Sequence, residues 1–260
     1  MASKQLILRR ATPIVLPVTL LAAYGVAAMQ LDSFFLPTLG EIAVSFQENW
    51  LFGRVLSDLA PSLARMFVGF ALASAAGVIA GFVAGLSRRV STAADPVIQF
   101  MRSLPSPALI PLALLIFGAG DASKILIIFL GAMWPVLLNT MDGVRSVHQT
   151  QIDMARAFQV PWAARMLHVM LPFAMPRILA GMKTGLALAL ILMVVTEMVA
   201  SSNGIGYFVI QAQRQFSIPE MWSGILLLGI LGYALNLVFT RVEARALYWY
   251  NGMLGLTQHR

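Results

Sequence analysis

The sequence predicts an all-α, polytopic membrane protein, and its composition is the first reason. Of its 260 residues, 59% are hydrophobic and only 11% are charged, with a mean hydropathy of +0.80. Soluble chains carry about a quarter charged residues, so this chain has too little polar material to cover a water-soluble domain. A bilayer must therefore supply part of its solvent.

Six apolar stretches are the second reason, because a helix needs about 20 apolar residues to cross a hydrocarbon core of about 30 Å. In one domain of residues 1–260, the predicted spans are 11–31, 64–87, 104–120, 124–141, 173–197 and 221–240. The basic residues before the first span also fit a secretory signal peptide. We favour a span, because the run is longer than a usual signal and no clear cleavage site follows.

The sorting of charges is the third reason. Fourteen of the eighteen basic residues, but only four of the eleven acidic ones, fall at the two termini and in alternate loops. Lys and Arg stay on the cytoplasmic side, so the pattern predicts six spans with both termini in the cytoplasm. The net charge of +7 thus reflects orientation rather than a nucleic-acid partner. With no cysteine and three scattered histidines, no metal-ligand spacing is present.

The second span carries glycines at every fourth position, Gly77, Gly81 and Gly85. Such a face lets two helices approach closely. Packing within the chain is favoured over a seam between two copies.

The third span begins irregularly, since Pro105 and Pro107 cannot donate backbone hydrogen bonds. Unsatisfied backbone in lipid costs several kcal/mol per group, so this stretch should be buried in protein or line a wet cavity. A translocation path explains it, and simple helix bending is the alternative.

Glu197 is the single charge in the apolar window 184–209 and lies near the external end of its predicted span, where it can cap the turn that follows. Charges in spans are usually functional. A gating or structural role is favoured over direct substrate contact. Gly204 and Gly206 fit a tight external turn, since glycine tolerates positive φ.

The long cytoplasmic loop, residues 142–172, predicts a helix–turn–helix between spans four and five. In its first piece, Ile152, Ala155 and Phe158 form an apolar face, which Asp153 and Arg156 flank. Its second piece starts after a proline and has an apolar stripe that includes Trp162 and Met166. This unit suits either lipid headgroups or a partner protein.

At this loop the chain resembles a known family. Residues 152–160 and 169–172 are similar to the cytoplasmic "EAA" loop of ABC-importer permeases, and the spacing from Gln159 to Pro172 matches that pattern. The nitrate/sulfonate/taurine branch of these permeases is also resembled at residues 102–112, 117–120, 176–185, 197–198 and 204–207. In all, the resemblance covers about residues 63–245.

The resemblance implies a permease subunit of the bacterial inner membrane that passes a small solute inward. The implied cargo is a sulfonate, taurine, nitrate or similar anion, or a vitamin-precursor heterocycle. Implied partners are two P-loop ATPase subunits, a second and identical permease chain, a periplasmic or lipid-anchored solute-binding protein and membrane lipids. The chain lacks the G-x-x-x-x-G-K-[ST] phosphate cradle, so it is expected to have no cofactor and no enzyme activity, with ATP and Mg on the ATPase.

The resemblance also implies site residues. The ATPase is expected to contact Ile152, Asp153, Ala155, Arg156, Phe158, Gln159 and Val160. The second piece of the loop and the start of span five contribute Trp162, Met166, Leu171 and Pro172. Gate or path residues are Pro105, Pro107, Glu197, Met198, Gly204 and Gly206.

Gln159 departs from the family pattern, which has glycine at this position. A non-glycine residue in a left-handed conformation costs about 1–2 kcal/mol. We therefore expect a wider turn here, with Pro161 starting the second helix instead.

Two other classes of function were weighed. An ion-driven secondary transporter needs mid-membrane ion ligands and usually an internal repeat, and neither is evident. A membrane enzyme needs paired catalytic groups at matching depths, and none is evident in the sequence.

Overall fold

The computed structural model describes residues 2–31, 33–51 and 53–253, and within this part every regular element is helical. The helices are α1 (Ala2–Leu31), α2 (Leu39–Phe46), α3 (Ala60–Leu86), α4 (Arg88–Ser103), α5 (Ile110–Phe117), α6 (Asp121–Arg145), α7 (Gln149–Ala157), α8 (Trp162–Arg165), α9 (Leu171–Ala200), α10 (Ile205–Arg214), α11 (Ile218–Ala246) and α12 (Tyr248–Met253). Wider π-helical turns cover Gln47–Leu51, Val55–Leu59 and Met166–Met170, and a 3₁₀ turn covers Ser106–Leu109.

The apolar runs of the sequence form the long helices, as predicted. Four continuous helical segments of the described residues are long and apolar enough to cross a membrane: Val55–Leu86, Asp121–Arg145, Trp162–Ala200 and Ile218–Ala246. The apolar part of α1, Val15–Leu31, is shorter than these four segments. By length and composition, the described helices thus provide four candidate spans, or five with the bent pair described next, and the count of six stays a prediction.

The third predicted span, 104–120, differs from the structure. Helix α4 already begins at Arg88, residues 104–109 form a break, and α5 has only eight residues. The two halves of this segment, Arg88–Ser103 and Ser106–Phe117, meet at 83°. Pro105 and Pro107 explain the break, because proline removes amide donors and disfavours the helical conformation of the preceding residue.

The chain forms two compact units. The first contains Met1–Val55 and Phe208–Leu227. Its centre is Trp50, whose ring packs edge-on against Phe208 at 4.8 Å and whose Nε1 donates to Ser223 Oγ at 3.3 Å. A buried indole with a satisfied N–H combines apolar burial with a fixed orientation.

The second unit contains Leu56–Tyr207 and Leu228–Arg260, and its core lies between α3, α6 and α9. The predicted glycine face of α3 packs against α6: a Cβ on Gly77 would lie 2.8 Å from Val136 Cβ, and one on Gly85 would lie 2.7 Å from Val144 Cβ. Packing within the chain is therefore confirmed. A Cβ on Gly181 of α9 would likewise lie 2.8 Å from the Pro135 carbonyl oxygen of α6.

Candidate functional site

The predicted coupling loop is a helix–turn–helix at one end of the second unit, formed by α7, α8 and the π-helical turn. Its second half is seated on the bundle, because Met170 packs in a buried cluster with Val144, Ala174 and Ile178. Met166 and Leu171 pack against the same cluster, and Pro172 lies in the first turn of α9. The loop is therefore anchored to α6 and α9 by apolar packing.

The turn after α7 is tight rather than wide, so the prediction at Gln159 was wrong. Gln159 adopts a left-handed conformation with φ +53°. The Gln159 amide donates to the Arg156 carbonyl and the Val160 amide to the Ala155 carbonyl, both at 2.9 Å. These are the two hydrogen bonds of a Schellman motif, and they satisfy the helix end well enough to hold a non-glycine residue at its strained position. Val160 itself is half-buried.

The exposed surface of α7 differs from the predicted face. Ala155 is only 8% exposed and Ile152 is half-buried, so this part of the face points toward the chain itself. The large exposed apolar side chains are Met154 (57%), Phe158 (78%) and Trp162 (64%). A docking partner would therefore meet Met154, Phe158 and Trp162.

Charges at the edge of this surface are fixed on α7. Asp153 Oδ1 accepts from Gln149 Nε2 at 3.0 Å and from Arg156 Nη1 at 3.4 Å. Both members of the Asp153–Arg156 pair are exposed. Such a pair adds little stability and leaves both groups accessible to a partner.

A second group of polar residues lies buried at the opposite end of the unit, around Arg65. Its guanidinium donates to three residues: Asp121 Oδ1 at 2.7 Å, Glu197 Oε1 at 2.8 Å and Asn203 Oδ1 at 2.6 Å. Arg65 and Glu197 are buried, whereas the Asp121 side chain is 63% exposed. The guanidinium thus joins α3, α6, the end of α9 and the turn that follows it.

Glu197 caps the turn before α10, as expected from its position. Its carboxylate accepts from Ser62 Oγ at 2.8 Å and from the Gly206 amide at 3.0 Å, while Ser62 Oγ accepts from the Ile205 amide at 2.9 Å. Asp58 accepts from the Gly204 amide at 2.8 Å. Three consecutive amides therefore find acceptors, as a helix N-terminus requires.

Glycine is required at position 204 of this turn. Gly204 has φ +114°, and a Cβ there would overlap the Glu197 carboxylate. Six polar residues meet around Arg65, and most of them are buried; Asp58, Ser62, Arg65, Asp121, Glu197 and Asn203 are called the buried ion cluster below.

The buried ion cluster is a structural clamp by its geometry. The Glu197 carboxylate is 0% exposed and both of its oxygens are hydrogen-bonded, so it offers nothing to a solute. Sequence reasoning selected Glu197 and missed the other five members: Asp58, Ser62, Arg65, Asp121 and Asn203. The available signal was a lone arginine at the start of one apolar run and a lone glutamate in another.

The remaining predicted path residues lie apart from the cluster. Pro105 and Pro107 are exposed in the break between α4 and α5, and Met198 is half-buried on α9. Ser106, between the two prolines, lies beside Gly131 of α6, where a Cβ would be 3.0 Å from Ser106 Oγ. Among the described residues, no group of three His, Asp or Glu side chains is arranged to hold a metal ion.

Comparison with known proteins adds three findings. A family model described as binding-protein-dependent transport system inner membrane component matches residues 73–245. The chain is 34% identical over 220 residues to the putative aliphatic sulfonates transport permease protein SsuC of Bacillus subtilis, covering 85% of this chain and 80% of that one. It is 31% identical over 241 residues to the taurine transport system permease protein TauC of Escherichia coli, covering 90% and 88%.

Among solved structures, the fold is similar to a chain of the inward-facing MetNI methionine ABC transporter. The TM-score is 0.59 at 21% identity, and the match covers 75% of this chain and 95% of that chain. At this identity the likeness concerns the fold.

Proposed function

The chain belongs to the family of binding-protein-dependent transport system inner membrane components, the permeases of ABC importers, and from this premise we propose how it works. Two P-loop ATPase subunits bind ATP and Mg and supply the energy. Two copies of this chain, each with six spans and cytoplasmic termini, form the path. A periplasmic or lipid-anchored binding protein delivers the solute.

We propose that the solute is a small anion such as a sulfonate or taurine. The support comes from the relatives, one named for aliphatic sulfonates and the other for taurine, each matching at least four fifths of this chain. The two substrates share a sulfonate group, which favours it over the vitamin-precursor alternative.

The exposed apolar surface of α7 and the turn after it is the observation that carries the coupling proposal. Phe158 and Met154 project from an anchored loop, and burying two such side chains against a partner contributes on the order of 3–6 kcal/mol. The ATPase would bind here, with Asp153 and Arg156 at the rim. Closing of two ATPases would then move α6 and α9 through the buried cluster at Met170.

The test replaces Phe158 by Asp in the tagged chain, expressed in its native host with its partners. Because Phe158 is 78% exposed, we expect unchanged membrane insertion and thermal stability but loss of the co-purifying ATPase. Uptake of radiolabelled taurine or an alkanesulfonate should fall at least tenfold.

Tyr248→Asp is the matched control, since Tyr248 is also an exposed aromatic residue, at 73%, on the predicted cytoplasmic side but outside the loop. Loss of ATPase from both variants would indicate general damage. Full ATPase recovery with Phe158→Asp would refute the docking surface, and taurine uptake that persists in ATP-depleted vesicles would favour the secondary transporter.

A further inference from the structure

Helix α4 presents three different faces. Ser91 and Ile98 are buried against the chain, while Val90, Val97 and Phe100 form an exposed apolar face. A third face, spaced at alternate intervals of four and three residues, is polar and exposed along its whole length. This polar stripe consists of Arg88, Thr92, Asp95, Gln99 and Arg102.

Helix α4, which carries the polar stripe on an exposed face, contacts the second half of α6 through its buried face. Near its start, Ser91 contacts Met141 Sδ at 3.9 Å and accepts a hydrogen bond from Arg145, at the C-terminal end of α6. Beyond its other end, Ser106 lies beside Gly131, which is about 15 Å along α6 from Asp121. Arg102 precedes Ser106 by four residues, so their Cα atoms are at most about 14 Å apart.

This depth changes the interpretation of Arg102. Charge sorting had assigned it to a cytoplasmic loop, whereas the structure places the end of α4 near the middle of α6. An arginine deep in a bilayer is energetically costly, and such residues almost always face the interior of the protein or a water-filled cavity. Its stripe therefore faces water or protein rather than lipid tails, and the separate apolar face of α4 is the one suited to lipid.

Open space borders the end of the stripe that begins at Arg88. A cleft of about 570 Å³ lies against Arg88, Thr92 and Asp95, and Arg145 of α6 contributes to its wall. The cleft and the stripe together carry three arginines, Arg88, Arg102 and Arg145, and one acidic residue, Asp95. The surplus of positive charge favours anions along this face.

The geometry of Arg102 suits an oxyanion. Its Nε donates to Gln99 Oε1 at 2.9 Å, which orients the guanidinium. In the described part of the chain, no hydrogen-bond acceptor is seen on its two terminal amino groups. A guanidinium held in this way can bind a sulfonate or carboxylate in bidentate fashion.

We propose that the polar stripe of α4 lines the cytoplasmic half of the solute path and that Arg102 is its deepest anion-binding group, selecting a sulfonate or similar head group. This inference rests on the proposed function, because it assumes that a solute passes through the membrane along this chain. It names a surface different from the ATPase docking surface and from the buried ion cluster.

The first test uses the absence of cysteine from the chain. Single cysteines are introduced in the stripe, as Thr92→Cys, Asp95→Cys and Gln99→Cys, and in the apolar face, as Val97→Cys and Phe100→Cys. Inside-out vesicles that contain the complete transporter are treated with the anionic, membrane-impermeant 2-sulfonatoethyl methanethiosulfonate. The stripe variants should react at least tenfold faster than the apolar-face variants, and all should react after denaturation.

The second test measures charge selection at Ser103→Cys, an exposed position next to Arg102, so that the hydrogen bond from Arg102 to Gln99 is kept. The rate with the sulfonate reagent is divided by the rate with the cationic trimethylammonium analogue, and this ratio is normalised to that of glutathione. We expect a normalised ratio of at least five. Adding Arg102→Gln should bring it near one, whereas Arg102→Lys should keep most of it.

Slow reaction at all stripe positions would overturn the proposal, and cross-linking of Gln99→Cys between two copies would show that the stripe is a dry dimer seam. A normalised ratio near one before any change at Arg102 would also overturn the anion role. Failure of the importer proposal is detected separately, because an ATPase would then not co-purify with the unsubstituted chain.

Discussion

Arg65 and Glu197 form a buried pair whose two members depend on each other. Removing one partner of such a pair leaves an uncompensated charge, which costs about 3–5 kcal/mol. Arg65→Ala should therefore lower the thermal denaturation temperature in detergent, measured by the loss of monodisperse protein after heating. Arg65→Met combined with Glu197→Met should recover part of the loss, because neither member of the pair then leaves an uncompensated charge behind.

Asp153→Ala is the matched control for this prediction. It breaks an ion pair whose two side chains are both more than half exposed, so its expected cost is below about 1 kcal/mol. Equal losses in Arg65→Ala and Asp153→Ala would contradict the clamp role of the buried ion cluster.

Gln159 carries local strain that glycine would remove. With φ +53°, Gln159→Gly should stabilise the turn after α7 by about 1 kcal/mol. Hydrogen exchange of the Val160 amide, followed by mass spectrometry, should slow by about fivefold, since 1.4 kcal/mol corresponds to tenfold. Gln159→Val should speed it, because a β-branched side chain is worse in this conformation.

At the scale of elements, the close contact between α3 and α6 depends on glycines, which have no side chain to hold the two helices apart. A Cβ on Gly81 would lie 2.7 Å from Thr140 Cβ and would overlap the Leu137 carbonyl, so Gly81→Ala forces the two helices apart. Overpacking of this kind costs about 1–3 kcal/mol. Differential scanning fluorimetry of the purified chain should show a lower transition temperature.

Gly229→Ala provides the comparison on α11, because a Cβ there meets nothing within 4 Å. This change should leave the transition temperature unchanged or raise it, since alanine is the better helix former. If both alanine variants behaved alike, close approach of α3 to α6 would not explain the glycine spacing.

Sequence reasoning predicted the long helices well, because α3, α6, α9 and α11 are apolar runs that need no information from elsewhere in the chain. It missed α4, whose arginines looked like loop charges. A helix with buried, apolar and polar faces has a low mean hydropathy, so a search for long apolar stretches does not detect it. The break after α4 was predicted, since prolines act locally.

The two candidate sites were predicted to different degrees. The loop 142–172 was placed by its sequence pattern, but which of its apolar residues are exposed depends on packing against α6 and α9. The contact between Arg65 and Glu197 joins positions 132 residues apart. No local pattern records such a pairing.

For the molecule as a whole, three of the four basic residues predicted to lie outside the cytoplasm have structural roles. Arg65 belongs to the buried ion cluster, Lys124 Nζ donates to the Ala119 and Gly120 carbonyls at 2.9 and 3.0 Å, and Arg54 lies 4.8 Å from the centre of the Phe208 ring. Internal partners compensate these exceptions to the positive-inside rule, so they do not weaken the predicted orientation.

The members of the buried ion cluster are synthesised at widely separated times, so its ion pairs can form only in a certain order. Asp121 follows Arg65 by 56 residues in the sequence, and Glu197 follows Arg65 by 132 residues. At a synthesis rate of 5–20 residues per second, Asp121 is therefore added about 3–11 s after Arg65, and Glu197 about 7–26 s after Arg65. Asp121, still largely open to water in the finished chain, is the earlier companion. During synthesis, Arg65 of α3 can therefore pair with Asp121 of α6 before α9 has been made. Its ion pair with Glu197 can form only when the last quarter of the chain is being synthesised.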